Sequence, residues 1–119
     1  MAGARRSLLG ALVAGGLLAA LSGGVRAHDY PTETLADYVF GCMASNGQTQ
    51  EALKKCSCSI DVIASILPHD DYVRGETVLR MRQVRGGGEK MALFRDTTVA
   101  KSAVERLKRA QVEAELRCF

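Results

Sequence analysis

The sequence predicts an all-α fold, a compact four-helix domain stapled by two disulfides. Three observations lead there. Four segments carry apolar residues at helical spacing, i, i+3, i+4, i+7. No pair of segments shows the strict alternation of a half-buried hairpin. Four cysteines, Cys42, Cys56, Cys58 and Cys118, all lie behind an N-terminal export signal, and an even count in a short exported chain reads as two disulfides.

The signal occupies residues 1–27. Arg5 and Arg6 form a basic start, Ser7 to Leu21 is an apolar run, and Val25-Arg26-Ala27 is a small-residue cleavage site. The run is short for a membrane span and is interrupted by Gly10, Gly15 and Gly16. Cleavage after Ala27 leaves a single domain, residues 28–119, for the periplasm. Removing the three arginines of the signal turns sixteen basic and thirteen acidic residues into thirteen of each. A neutral domain offers no overall electrostatic footprint for nucleic acid or for a membrane, so neither is expected as a partner of the mature form. A domain this small has a thin core, and each disulfide adds roughly 2–4 kcal/mol by restricting the unfolded chain.

The first helix is expected from about Thr34 to Ser45, where Leu35, Tyr38, Val39, Cys42 and Met43 make one apolar stripe. Thr32 or Thr34 can cap it, and Asn46-Gly47 can end it in a left-handed turn. The second runs from about Gln50 to Leu67, capped by Thr49 and stopped by Pro68. Leu53, Cys56, Ile60, Ile63 and Leu67 form one face, and Cys58, Val62, Ser65 and Ile66 another, so this is the central, most buried helix. The third begins at Asp70 or Asp71 and reaches about Gln83, with two acids at the positive end of its dipole. Gly86-Gly87-Gly88 then reads as a loop, without the lysine and serine of a phosphate-binding P-loop. Met91 to Phe94 reads as an apolar tether packing back on the core. The last helix runs from about Thr98 to Arg117, with a seam of Ala100, Val104, Leu107, Gln111, Ala114 and Cys118.

Cys56 and Cys58 point about 200° apart on a helix and so serve different partners. A hairpin turning near Gly47 brings Cys42 level with Cys56, which favours Cys42–Cys56 with Cys58–Cys118. Cys42–Cys58 with Cys56–Cys118 stays open, since four cysteines allow three connectivities. The C-x-C spacing has no histidine nearby, which argues against a zinc site, and a C-x-x-C redox pair is absent.

Chemistry outside the cysteines is sparse. His69, Asp70 and Asp71 open the third helix and Glu76 follows, a set of oxygen donors of the kind hard cations prefer, with His69 beside them to hold a water. Helix capping and a solvated loop histidine are the bland reading of the same residues. A metal site built from them is shallow, and a metal-dependent homodimer that completes it is a corollary. His28, as a new N-terminus, offers an amine and an imidazole for copper, with His69 as the second histidine. A frayed terminus is the commoner outcome. No nucleophile motif and no ordered triad points to an enzyme.

The runs Gly41-Cys42-Met43-Ala44-Ser45-Asn46-Gly47 and Cys56-Ser57-Cys58-Ser59-Ile60-Asp61 through to Leu67-Pro68 carry a resemblance, as do Glu76 to Met81 and Gln111 to Phe119. Together they resemble a LanD-like family of small periplasmic four-cysteine proteins. That family is encoded beside PQQ-dependent alcohol dehydrogenases and lanthanide-utilisation genes in methylotrophic and related bacteria. The resemblance implies an accessory protein that binds and delivers or buffers trivalent lanthanide ions for quinoprotein alcohol oxidation, a chaperone of the metal, with another periplasmic protein as partner. It carries no ligand positions; Asp70, Asp71, Glu76 and His69 rest on hard-ion chemistry alone. Two alternatives stand beside it: a metal-free interaction module assisting a PQQ-dependent dehydrogenase or its cytochrome, and copper binding through His28.

Overall fold

In the computed structural model, residues 28–84 and 86–119 are described. The export-signal segment and its cleavage site lie outside them. Five helices follow one another: α1 (Thr32–Asn46), α2 (Gln50–Ile66), α3 (His69–Gln83), α4 (Gly88–Asp96) and α5 (Thr98–Cys118). No strand occurs among the described residues. The fold is the expected disulfide-stapled helical domain, with one helix more than expected.

The central position of α2 follows from its sequence. Cys56, Ser59, Ile60, Ile63 and Ala64 are buried along one side, and Leu67 continues them past the helix end at 5% exposure. Thr49 caps the start, accepting from the Ala52 N–H at 3.0 Å. Before Pro68 the backbone of Leu67 turns to φ −125°, ψ 119°, the extended geometry that proline imposes on its predecessor. Against α2 packs α5, whose buried Ala103, Ala110 and Ala114 are small enough to let the helices approach around the larger Leu107. Helix α3 packs on α5 with Tyr72, Gly75 and Val78 buried. The crossing is close at Gly75: a Cβ there would lie 2.8 Å from the Leu107 Cβ.

Helix α1 is different. It packs on α2 through its stripe, yet none of its residues is buried. Leu35, Tyr38, Val39, Cys42 and Met43 are half-covered, and Phe40 is 73% exposed. Pro31 precedes the helix and no side chain caps it, so neither Thr32 nor Thr34 has the expected capping role. Gly47, at φ 106°, ends the helix where other residues would be strained.

Both disulfides join helices in the favoured pattern. Cys42–Cys56 ties α1 to α2, and Cys58–Cys118 ties α2 to the end of α5, each with Cα atoms 5.8 Å apart. The opposed directions of Cys56 and Cys58 send them to different helices, and the turn at Gly47 sets Cys42 level with Cys56.

The tether is a helix, α4, and it does not fold back as a whole. Four consecutive apolar residues spaced 100° apart cannot all face inward on one turn. Met91 and Ala92 are half-buried, whereas Leu93 and Phe94 stand out at 67% and 65% exposure. The three glycines before it take φ values of 96°, 93° and 70°.

Candidate functional site

The N-terminal residues act as a clasp over the start of α3. Tyr30 is buried, and its hydroxyl donates to the Leu67 carbonyl at 2.8 Å. Burial is the main cause that pushes its phenol well above the usual range, so it remains a donor. The Asp29 carboxylate accepts from the His69 backbone N–H at 3.3 Å, supplying one orphan donor of the helix start.

The residues expected to hold a hard cation are drawn in different directions. His69 is bound through Nε2 to the Thr34 hydroxyl at 3.1 Å and lies edge-on to Tyr30. Asp70 is exposed. Asp71 is paired with Arg74 at 3.4 Å and with Arg106 at 3.2 Å. Glu76, five residues on from Asp71, sits roughly 140° round the helix. Among the described residues no three His, Cys, Asp or Glu side chains are grouped to hold a metal ion. For the copper reading, His28 Nδ1 accepts from the Tyr30 N–H at 3.3 Å, and its Nε2 lies 3.9 Å from Asp61. His28 and His69 contact the same tyrosine ring.

What the fold does assemble is a cleft. Because α1 packs chiefly on α2 and meets α3 only through the side-chain contacts of Thr34 with His69 and Asp37 with Arg80, a cleft opens between its flank and α3 and α5. The opening has a volume of about 570 Å³, within the range of small-ligand sites. One wall is Asp37, Tyr38 and Gly41 of α1. The other is Tyr72 and Glu76 of α3 with Lys108, Gln111, Val112 and Glu115 of α5, and Phe119 closes one end. These α5 residues recur at i, i+3, i+4 and i+7, a helical stripe beside the buried seam. The floor is Ser59, buried and sharing a 2.8 Å hydroxyl hydrogen bond with Tyr38.

Two titratable groups in the cleft are partly withdrawn from solvent, Glu76 and Tyr72. Among the described residues, neither the Glu76 carboxylate nor the Tyr72 hydroxyl makes a hydrogen bond or ion pair within the protein, and neither atom group is sealed from the opening. Burial raises the Glu76 carboxyl above its ordinary value; Arg80 opposes this and Asp37 adds to it. Tyr72 is raised beyond the usual phenol range, first by burial and then by Glu76. Of this set only Glu76 stood out as a functional candidate in the sequence, and for another site. Tyr38 reads as part of the first helix's apolar stripe, Tyr72 as apolar surface of the third helix, and Ser59 carries no signal of its own. The available signal was the i, i+4 spacing of Tyr72 and Glu76, which puts a carboxylate beside a tyrosine on one face.

Comparison with known proteins finds no matching family model and no significantly similar curated protein or solved structure.

Proposed function

We propose that the protein is a non-catalytic binding module of the periplasm. Its cleft holds a positively charged, hydrogen-bond-donating group, an alkylammonium or guanidinium side chain presented by a partner protein. One observation carries this: Glu76 and Tyr72 line a ligand-sized opening and, among the described residues, have no hydrogen-bond or ion-pair partner. Glu115 adds negative charge at the rim beside Lys108, while Asp37 is paired with Arg80 at 3.5 Å. The tyrosine rings and Phe119 suit a cation that has shed water. The Ser59 hydroxyl on the floor is bonded to Tyr38, which suits a positioning role. Two disulfides fit an oxidising compartment, and no helix of the described residues is long and apolar enough to cross a membrane.

The test is titration with lysine- and arginine-bearing peptides, followed by amide chemical shifts. Shifts are expected around Glu76 and Tyr72, and Glu76→Gln should weaken binding by about 10–100-fold, the worth of one charge-assisted hydrogen bond. Equal affinity in that variant, or shifts confined to other surfaces, would overturn the assignment. The family resemblance supplies the partner class, a PQQ-dependent dehydrogenase or its cytochrome. Lanthanide delivery, its other implication, would require His69, Asp70, Asp71 and Glu76 to regroup. Titration with lanthanide, calcium and copper ions tests it, and Asp70→Asn with Asp71→Asn should abolish lanthanide binding without touching the cleft.

A further inference from the structure

The neutrality of residues 28–119 conceals a separation of charge. Residues 80–101 hold six basic residues against Glu89 and Asp96, while the remainder holds seven basic against eleven acidic. The basic stretch is the end of α3, the glycine loop, α4 and the start of α5. It is also where apolar side chains are left outside: Val84 at 49% exposure, Leu93 at 67%, Phe94 at 65% and Val99 at 77%.

On α4 these features share one face. Lys90, Leu93 and Phe94 fall at i, i+3 and i+4, and all three are exposed. The helix is held in that orientation from behind. The Arg95 Nη1 donates to the Val84 carbonyl at 3.3 Å, and the Arg82 Nη2 donates to the Arg95 carbonyl at 3.5 Å.

We propose that α4 is a membrane-surface contact, seating Leu93 and Phe94 among the headgroups of an anionic bilayer with Lys90, on the same face, toward the phosphates. Charge complementarity selects the anionic surface, and two large side chains standing out of a short helix suit insertion at an interface. The attraction is local, since charges farther away than about 8–10 Å are largely screened at physiological salt. The cleft between α1 and α3 is not part of this surface, so the two proposals stand or fall separately.

Co-sedimentation of the exported protein with vesicles tests it. Binding is expected to phosphatidylglycerol vesicles at low salt and not to phosphatidylcholine vesicles. Leu93→Ser with Phe94→Ser should reduce it by about tenfold or more, and Lys90→Glu should reduce it and its salt dependence. Both variants alter exposed positions, and unchanged helical circular dichroism confirms the fold. Equal binding to neutral vesicles, full binding by the double serine variant, or no vesicle binding at all would overturn the proposal. So would concentration-dependent self-association that the double variant abolishes in the absence of vesicle binding, which would assign the face to a second copy.

Discussion

Gly75 and Glu76 are neighbours on α3 with opposite duties. Gly75 lets α3 touch α5: a methyl group there would meet the Leu107 Cβ at 2.8 Å, its Cδ2 at 2.9 Å and the Ala103 carbonyl at 3.2 Å. Gly75→Ala should therefore lower stability by about 1–3 kcal/mol despite alanine's better helix propensity. Thermal melts check this, and a more stable variant would show that the crossing yields. Glu76 faces the cleft, and its prediction concerns pH. A carboxyl raised by burial binds its proton more tightly folded than unfolded. Its contribution to stability is greatest below the ordinary value of 4.5 and is lost as pH rises through the folded value. The stability of the parent relative to Glu76→Gln should thus fall as pH rises from about 4 toward neutrality. A difference independent of pH would count against burial of the charge. Neither role was legible beforehand. A glycine inside a helix gives no signal of what it abuts, and the acid was grouped with Asp71, its neighbour in sequence but not on the helix surface.

At the scale of helices, the two disulfides have unequal tasks. Cys58–Cys118 spans 60 residues and Cys42–Cys56 spans 14. Loop-closure entropy alone makes loss of the longer bridge costlier by about 1 kcal/mol. The local consequences differ more. Helix α1 has no buried residue, so Cys42→Ser with Cys56→Ser should release it while α2, α3 and α5 stay folded. Hydrogen exchange should then speed up over 32–46 and the cleft ligand should be lost. Uniform acceleration across all helices would show that α1 is integral to the core. Helix α2 was plain in the sequence because its apolar run is continuous and bounded by Thr49 and Pro68. Helix α4 was hidden: nine residues after three glycines give too few turns for a periodicity to show.

For the molecule as a whole, composition was a good guide to architecture and a poor one to surfaces. Four cysteines and helical periodicity carried the fold class, and the opposed Cys56 and Cys58 carried the pairing. Net charge is uninformative about surfaces, because a sum over residues 28–119 discards where the charges lie. The cleft was equally hidden, since its walls come from α1, α3 and α5 and meet only once α1 is held to α2. Mass spectrometry of the exported protein should show four hydrogens fewer than the reduced chain and a first residue of His28. A free thiol would remove the covalent frame on which these surfaces rest.

The bridge from Cys58 to Cys118 closes a ring of chain that contains Gly86, Gly87 and Gly88. Those glycines are exposed, small and at positive φ, the kind of site proteases enter first. One cut there opens the ring without dividing the molecule. The nicked protein should run as a single species without reductant and as two fragments with it. It should also keep α2, α3 and α5 packed, since Leu107 and Ala114 remain buried between them. Limited proteolysis read on paired gels would show it, and separation of the fragments before reduction would contradict the pairing. In covalent terms the exported chain is a closed loop with α4 strung along it.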